Sequence, residues 1–218
     1  VNMKKIYLLS GPGTIEGFSN AVSNELKKDL KDAKTITFIS SSPENHEKNI
    51  NFVYGNDKII GMINHLKGIA NFKVVNLVDE MNKNLDINSD VIYLLGGNYE
   101  TQLSFIKENK FDEILKNYNG ILLCTSCGAM NVAEYGYYSK DEDIEKSFFY
   151  NGLGVTNITI DPHFDIENDI QVEEAKKMSF EHVIYGVPNS SCIRISNNNV
   201  EMVGKIYEFN NGNVIEYN

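Results

Sequence analysis

The sequence contains little of what several classes of protein require. Only three of its 218 residues are cysteines, an odd and low number that argues against a disulfide framework. No apolar run approaches the roughly 18 residues of a membrane-spanning helix, and no charged and then apolar leader precedes the first predicted strand. Val1 and Asn2 precede Met3, which can serve as the initiator. No prediction depends on these two residues. We therefore expect a cytoplasmic protein that does not bind membranes.

Positive charge is also scarce. Thirty acidic and twenty basic side chains give a formal net charge of −10. Such a charge repels a phosphate backbone and an anionic membrane surface alike, so nucleic acid is not an expected partner. Hydrophobic residues make up 42% and charged residues 23% of the chain, which is ordinary for a globular protein. We expect one domain, residues 1–218.

Apolar strands alternate with amphipathic helices along most of the chain. The predicted strands cover residues 5–10, 35–40, 72–77, 91–95, 155–160 and 183–187, with a central strand that starts at 121. A helix is predicted over 129–135 and an acidic loop over 139–146. From Cys192 onward, short strands with Asn-rich turns predict an antiparallel meander that closes one edge of the sheet. The fold class is therefore α/β, with three layers and a mostly parallel central sheet flanked by helices.

Residues 121–130, ILLCTSCGAM, are the stretch around which the chain is organised. An apolar strand runs into a turn of small residues that opens a helix, and α/β enzymes expose a nucleophile at such a turn. Ser126 fits a serine nucleophile. Cys124 and Cys127 instead fit a C-x-x-C redox or metal pair.

A serine nucleophile needs fixed donors for an oxyanion. Gly128 lies two residues after Ser126, which leaves room for a sharp turn and lets the N–H of Cys127 face the oxyanion. Gly96, Gly97 and Asn98 directly follow an apolar strand and can offer a second N–H. A plain βα turn is the competing interpretation of these three residues.

The serine also needs a base. His163 follows a predicted strand and a proline, a position that suits a general base as well as a structural histidine. Asp141 and Glu142, in the acidic loop, can orient this histidine, although such runs are usually only solvated. His46 and His65 have no second ligand at metal spacing. We therefore expect neither a metal nor a cofactor.

Several segments, in this order, resemble peptidase family S51, the family of dipeptidase E and cyanophycinase. They are LGGN at 95–98, SCGAMNVA at 126–133, GLG at 152–154, IDPHF at 160–164, VPNSS at 187–191 and the hairpin at 203–212. The resemblance implies a class I glutamine-amidotransferase-like α/β fold and a serine peptidase mechanism. It also implies that Ser126 is the nucleophile and His163 the base, with Asp141 or Glu142 as the nearest candidates for the acid.

The leading hypothesis is a serine hydrolase that cleaves a small peptide or amide. In the dipeptidase E branch, a basic residue near the histidine motif lines the pocket that selects the substrate. Residues 156–159 of this sequence contain no basic residue, and Arg194 is its only arginine. Aspartyl specificity is therefore not predicted. The alternatives are a non-catalytic ligand-binding descendant of the fold and a Cys124/Cys127 thiol–disulfide protein. The oligomeric state stays open, and a homodimer is allowed.

Overall fold

The structure is a computed structural model that describes residues 4–13, 16–140 and 144–218. The helices are α1 (Asn20–Leu30), α2 (His46–Tyr54), α3 (Met62–His65), α4 (Tyr99–Glu108), α5 (Phe111–Asn117), α6 (Cys127–Asn131) and α7 (Asp169–Met178). The strands are β1 (Lys5–Leu9), β2 (Thr35–Ile39), β3 (Val74–Val78), β4 (Val91–Leu94), β5 (Ile121–Thr125), β6 (Tyr135–Tyr138), β7 (Phe148–Asn151), β8 (Ile160–Pro162), β9 (Ile184–Val187), β10 (Cys192–Ser196), β11 (Asn199–Val203), β12 (Ile206–Asn210) and β13 (Asn213–Tyr217).

A seven-stranded sheet in the order β11-β10-β1-β5-β4-β2-β3 forms the centre of the molecule. Strands β1 to β5 pair in parallel, whereas β10 and β11 add antiparallel at one edge. The parallel strands are nearly continuous in apolar residues because helices cover both faces of the sheet. On one face, Leu8 and Leu122 belong to a core with α4, α5 and α6. On the other, Tyr7 and Leu123 pack with α1, α2 and the α3 region.

The remaining strands form two smaller sheets. A four-stranded sheet has the order β13-β12-β9-β8, and β6 pairs with β7 in a hairpin. Strands β8 and β9 run parallel, so the residues that follow each of them emerge at the same edge. The predicted fold class is thus confirmed: an α/β chain with a mostly parallel central sheet flanked by helices and antiparallel strands near the C-terminus.

Some predicted elements were wrong in detail. The helix predicted over 129–135 ends at Asn131, because residues from Tyr135 onward pair with β7 instead. The ring of Tyr150 lies over Gly136, where a Cβ atom would be 2.2 Å from the ring. The C-terminal strands do not form one meander, since only β10 and β11 extend the central sheet. Gly204, at φ 78°, turns the chain between β11 and β12, which joins the smaller sheet.

Among the described residues, no helix combines the length and the apolar character needed to cross a membrane. The carboxyl ends of β1, β2, β4 and β5 meet at one edge of the central sheet, as parallel strands require. The polar residues of greatest interest lie at that edge.

Candidate active site

Ser126 lies in a sharp turn between β5 and α6. Its backbone, at φ 53° and ψ −113°, is outside the regions that L-residues usually occupy, and such strain concentrates at functional sites. The Ser126 N–H donates to the carbonyl of Leu9 at 2.8 Å, which ties the turn to β1. A Cβ atom on Gly128 would be 2.6 Å from the carbonyl oxygen of Leu94. Glycine at this position therefore lets α6 approach the sheet closely.

Three side chains are connected by hydrogen bonds at this edge. The Oγ atom of Ser126 is 2.9 Å from Nε2 of His163. Nδ1 of the same imidazole is 2.6 Å from Oδ1 of Asn189. His163 follows β8 and Asn189 follows β9, so the parallel pairing of these strands brings the two residues together. The third group in this series of hydrogen bonds, Asn189, is therefore a neutral amide.

Ser10 holds the histidine loop in place from the end of β1. Its buried hydroxyl accepts a hydrogen bond from the His163 N–H at 3.0 Å and donates one to the carbonyl of Val187 at 2.6 Å. The same oxygen therefore fixes the residue that follows β8 and the last residue of β9. It connects the central sheet to the smaller sheet where Ser126 and His163 meet.

Cys127 and Gly97 are the two residues predicted to hold an oxyanion, and both lie beside Ser126, with the Gly97 backbone N–H near the Cys127 thiol. Cys127 is the first residue of α6, and the first N–H groups of a helix have no partner within it. Gly97 adopts φ 135°, and a Cβ atom there would be 2.2 Å from Oγ of Ser41. Both residues line the pocket that contains Ser126 and His163. The two residues therefore belong to two separate loops that border the same pocket.

The other predicted residues have different surroundings. Gly96 packs beneath Ser126, where a Cβ atom would be 3.2 Å from Cβ of Ser126. Asn98 caps α4, because its Oδ1 accepts from the Thr101 N–H at 3.1 Å. Asp141 and Glu142 lie outside the described residues.

The cysteines have the properties of buried packing residues. Cys124, Cys127 and Cys192 are free and buried. Burial raises the pKa of the Cys127 thiol to about 12 and places that of Cys124 even further above its ordinary value. A redox pair needs the opposite, an accessible thiol with a lowered pKa. No cluster of three or more possible metal ligands occurs among residues 4–13, 16–140 and 144–218.

The pocket beside Ser126 has a volume of about 540 Å³. Aromatic and apolar side chains form much of its wall, including Tyr99, Tyr138 and Met130. A larger, open depression of about 970 Å³ surrounds Asp29 and Asp90. It lies at the amino ends of the parallel strands and contains none of the groups described above, so the smaller pocket is the candidate site.

Sequence reasoning missed Asn189 and Ser10. Asn189 belongs to the VPNSS segment, but its contact with His163 depends on the pairing of β8 with β9, which lie outside the central sheet. Ser10 ends the first strand and carries no motif. Their positions were the available signal, because Ser10 and Asn189 lie one and two residues after strands whose carboxyl ends face the Ser126 turn.

Comparison with known proteins agrees with this architecture. The sequence matches the model of peptidase family S51 over residues 7–203. The chain therefore belongs to peptidase family S51, which makes it a serine peptidase by family and implies a peptide substrate.

Two crystal structures illustrate the similarity of the fold. One is of a Listeria monocytogenes EGD-e protein whose assignment as a peptidase E is provisional; the TM-score is 0.64 at 17% identity, covering 92% of this chain and 98% of that one. The other is of a peptidase from an acI-B1 Actinobacterium, with a TM-score of 0.60 at 14% identity, covering 99% and 97%. No curated protein sequence matches the chain significantly.

Proposed function

We propose that this chain is a serine hydrolase of small peptides or amides, in which Ser126 is the nucleophile and His163 is the general base. The observation that supports the proposal is the 2.9 Å contact between Ser126 Oγ and His163 Nε2, at a strained turn between a strand and a helix. A base within hydrogen-bond reach is what a serine requires to become nucleophilic.

The first half of the reaction forms an acyl-enzyme. His163 Nε2 takes the Ser126 proton while Oγ bonds to the substrate carbonyl carbon, and the N–H groups of Cys127 and Gly97 donate to the resulting oxyanion. The imidazolium then gives its proton to the leaving nitrogen as the carbon–nitrogen bond breaks. In the second half, water attacks the acyl carbon with His163 again as base. The acid product leaves and Ser126 regains its proton.

Asn189 has an orienting role in this mechanism. When Nδ1 of His163 carries the proton and donates to Asn189 Oδ1, Nε2 presents its lone pair to Ser126. An amide fixes this tautomer without adding a negative charge. It therefore stabilises the imidazolium less than a carboxylate does.

The size of the pocket favours small substrates. A volume of about 540 Å³ is in the range of ordinary small-molecule sites, so a dipeptide or a short amide fits better than a protein chain. We further propose that residues 1–218 act as one domain in the cytoplasm.

Covalent labelling provides the direct test. A fluorophosphonate probe is expected to add one adduct to the wild-type protein by intact mass, with the adduct on Ser126 by peptide mapping. Ser126→Ala should abolish the adduct, while Ser104→Ala, which changes an exposed serine on α4, should retain it. An adduct on another residue, or one that persists in Ser126→Ala, would contradict the assignment.

The neutral Asn189 side chain also favours a second candidate, a binding protein that keeps the pocket without turnover. Hydrolysis of any member of a dipeptide panel by wild type, but not by Ser126→Ala, rules this out. Tight binding of peptides without hydrolysis or labelling supports it.

A further inference from the structure

One wall of the Ser126 pocket carries polar groups that the mechanism above does not use. Tyr137, Ser139 and Asp161 line the same pocket as Ser126 and His163. The hydroxyl oxygens of Tyr137 and Ser139 are buried. The Tyr137 hydroxyl lies near the side chains of Ser147 and Ser139, but neither the Tyr137 nor the Ser139 hydroxyl forms a hydrogen bond of good geometry among the described residues. Buried polar groups are nearly always hydrogen-bonded, so two weakly bonded hydroxyls beside a buried acid on one pocket wall are available to a polar ligand.

Asp161 is the buried acid of this wall. It occupies the middle of β8 and is 2% exposed. Its carboxyl group receives one long hydrogen bond, 3.3 Å, from Nε2 of Gln171. Oε1 of Gln171 accepts from the Asp165 N–H at 3.0 Å, which fixes the amide with its nitrogen toward Asp161. In the described parts of the chain, no basic side chain forms an ion pair with Asp161.

A buried carboxylate without a counter-ion is unfavourable. Burial raises the pKa of Asp161 to about 7, and the Gln171 bond lowers it only in part. Lys140 is the cationic lysine on the pocket lining, but it is exposed to solvent and does not pair with Asp161. Asp161 therefore has no cationic partner among the described residues, and a positively charged group of a substrate could take that place.

The number and kind of acceptors favour an ammonium group over other cations. An ammonium has three N–H donors and no acceptor, and this wall offers one carboxyl and two hydroxyl oxygens. Arginine-like groups are planar and usually bind carboxylates through two parallel hydrogen bonds. A divalent metal needs more ligands than one carboxylate supplies, and the described residues contain no metal-ligand cluster.

We propose that Asp161, Tyr137 and Ser139 form a subsite for a primary ammonium group of the substrate. This inference rests on the proposed function, because it assigns the substrate class of the same pocket. The ammonium is either the free N-terminus of a peptide or the end of a lysine-like side chain. Asp161 supplies the charge, and the two hydroxyls accept the remaining hydrogens.

Binding to an inactive variant tests the subsite independently of catalysis. In the Ser126→Ala background, calorimetry with alaninamide, N-acetylalaninamide and N-acetyl-lysinamide compares a free N-terminus, no ammonium and a side-chain ammonium. At least one ammonium ligand should bind about tenfold more tightly than N-acetylalaninamide, and which one does identifies the source. Equal affinities for all three ligands would overturn the inference.

The charge itself is tested by Asp161→Asn in the same background, with Asp165→Asn as the control. Asp165 is an exposed acid two residues beyond His163, and its side chain accepts from the Glu167 N–H, which asparagine can preserve. Asp161→Asn should remove the roughly tenfold preference for the ammonium ligand, and Asp165→Asn should keep it. A preference that survives Asp161→Asn would overturn the role of Asp161.

Kinetics then separates substrate recognition from the chemistry. Against wild type, Asp161→Asn should raise KM for substrates that carry the preferred ammonium by about tenfold and lower kcat much less. A loss confined to kcat would show that Asp161 acts through His163 rather than on the ammonium. Absence of all hydrolysis and labelling in wild type would remove the proposed function, while the calorimetric result would still decide the subsite.

Discussion

Nδ1 of His163 contacts an amide oxygen, that of Asn189, at 2.6 Å. The group that orients the imidazole is therefore neutral and follows a strand of the smaller sheet. If His163 is the general base, as proposed, a substitution at Asn189 should change its basicity.

Asn189→Asp should increase kcat/KM several-fold near neutral pH, because a carboxylate stabilises the imidazolium more than an amide does. Asn189→Ala should lower kcat/KM by about 10- to 100-fold, since the tautomer is no longer fixed. Steady-state kinetics on one peptide substrate checks both variants. An Asn189→Ala protein as active as wild type would show that the contact has no orienting role.

Ser10→Ala should reduce activity about tenfold and destabilise the fold by about 1–2 kcal/mol, because one buried hydroxyl serves both His163 and Val187. Ser40→Ala is the matched control. Ser40 is also buried at the end of a central strand, but its hydroxyl donates to Asn49 at 2.6 Å, away from His163. Denaturant unfolding and kinetics on both variants should show similar losses of stability and unequal losses of activity. Equal losses of activity would argue against positioning by Ser10.

Asp161 should make the fold less stable as pH rises. Its pKa is raised from 3.8 to about 7 by burial, so between these values the folded state keeps a proton that the unfolded state releases. Stability from this group is therefore greatest at low pH and is lost as pH rises through about 7. Asp161→Asn should thus become more stable than wild type above pH 7, by on the order of 1–4 kcal/mol. Urea unfolding of both proteins at pH 5 and pH 8 measures the difference, which should grow between the two; a constant difference would exclude the raised pKa.

The thiols should be unreactive in the folded protein, because Cys124, Cys127 and Cys192 are buried and their pKa values are raised. A thiol reagent should modify the three cysteines slowly in buffer. In denaturant, it should modify all three rapidly. Cys127→Ala should retain activity within a few-fold, since the proposed mechanism uses only the backbone N–H of this residue. A disulfide that forms reversibly under mild oxidation would instead support the thiol–disulfide alternative.

The sequence allowed prediction of those features that depend on local pattern. The apolar runs at 35–40 and 91–95 gave central strands close to β2 and β4, and small residues around Ser126 indicated the turn into α6. Pairing between distant segments was not predictable in this way. The helix expected over 129–135 ends at Asn131, and β6 pairs with β7 in a hairpin. The contact of Asn189 with His163 depends on the pairing of β8 with β9 in a sheet separate from the central one. Neither segment carries a local signal for its partner strand.

The bond network of Ser10 has a consequence for how activity is lost. Ser126 belongs to the central sheet, whereas His163 and Asn189 follow strands of the smaller one, so the site is complete only while the two sheets are docked. Separation of the small sheet would move His163 and Asn189 away from Ser126. We therefore expect activity to be lost before the central sheet unfolds during gentle heating, with Ser126 still in its turn and His163 displaced from it.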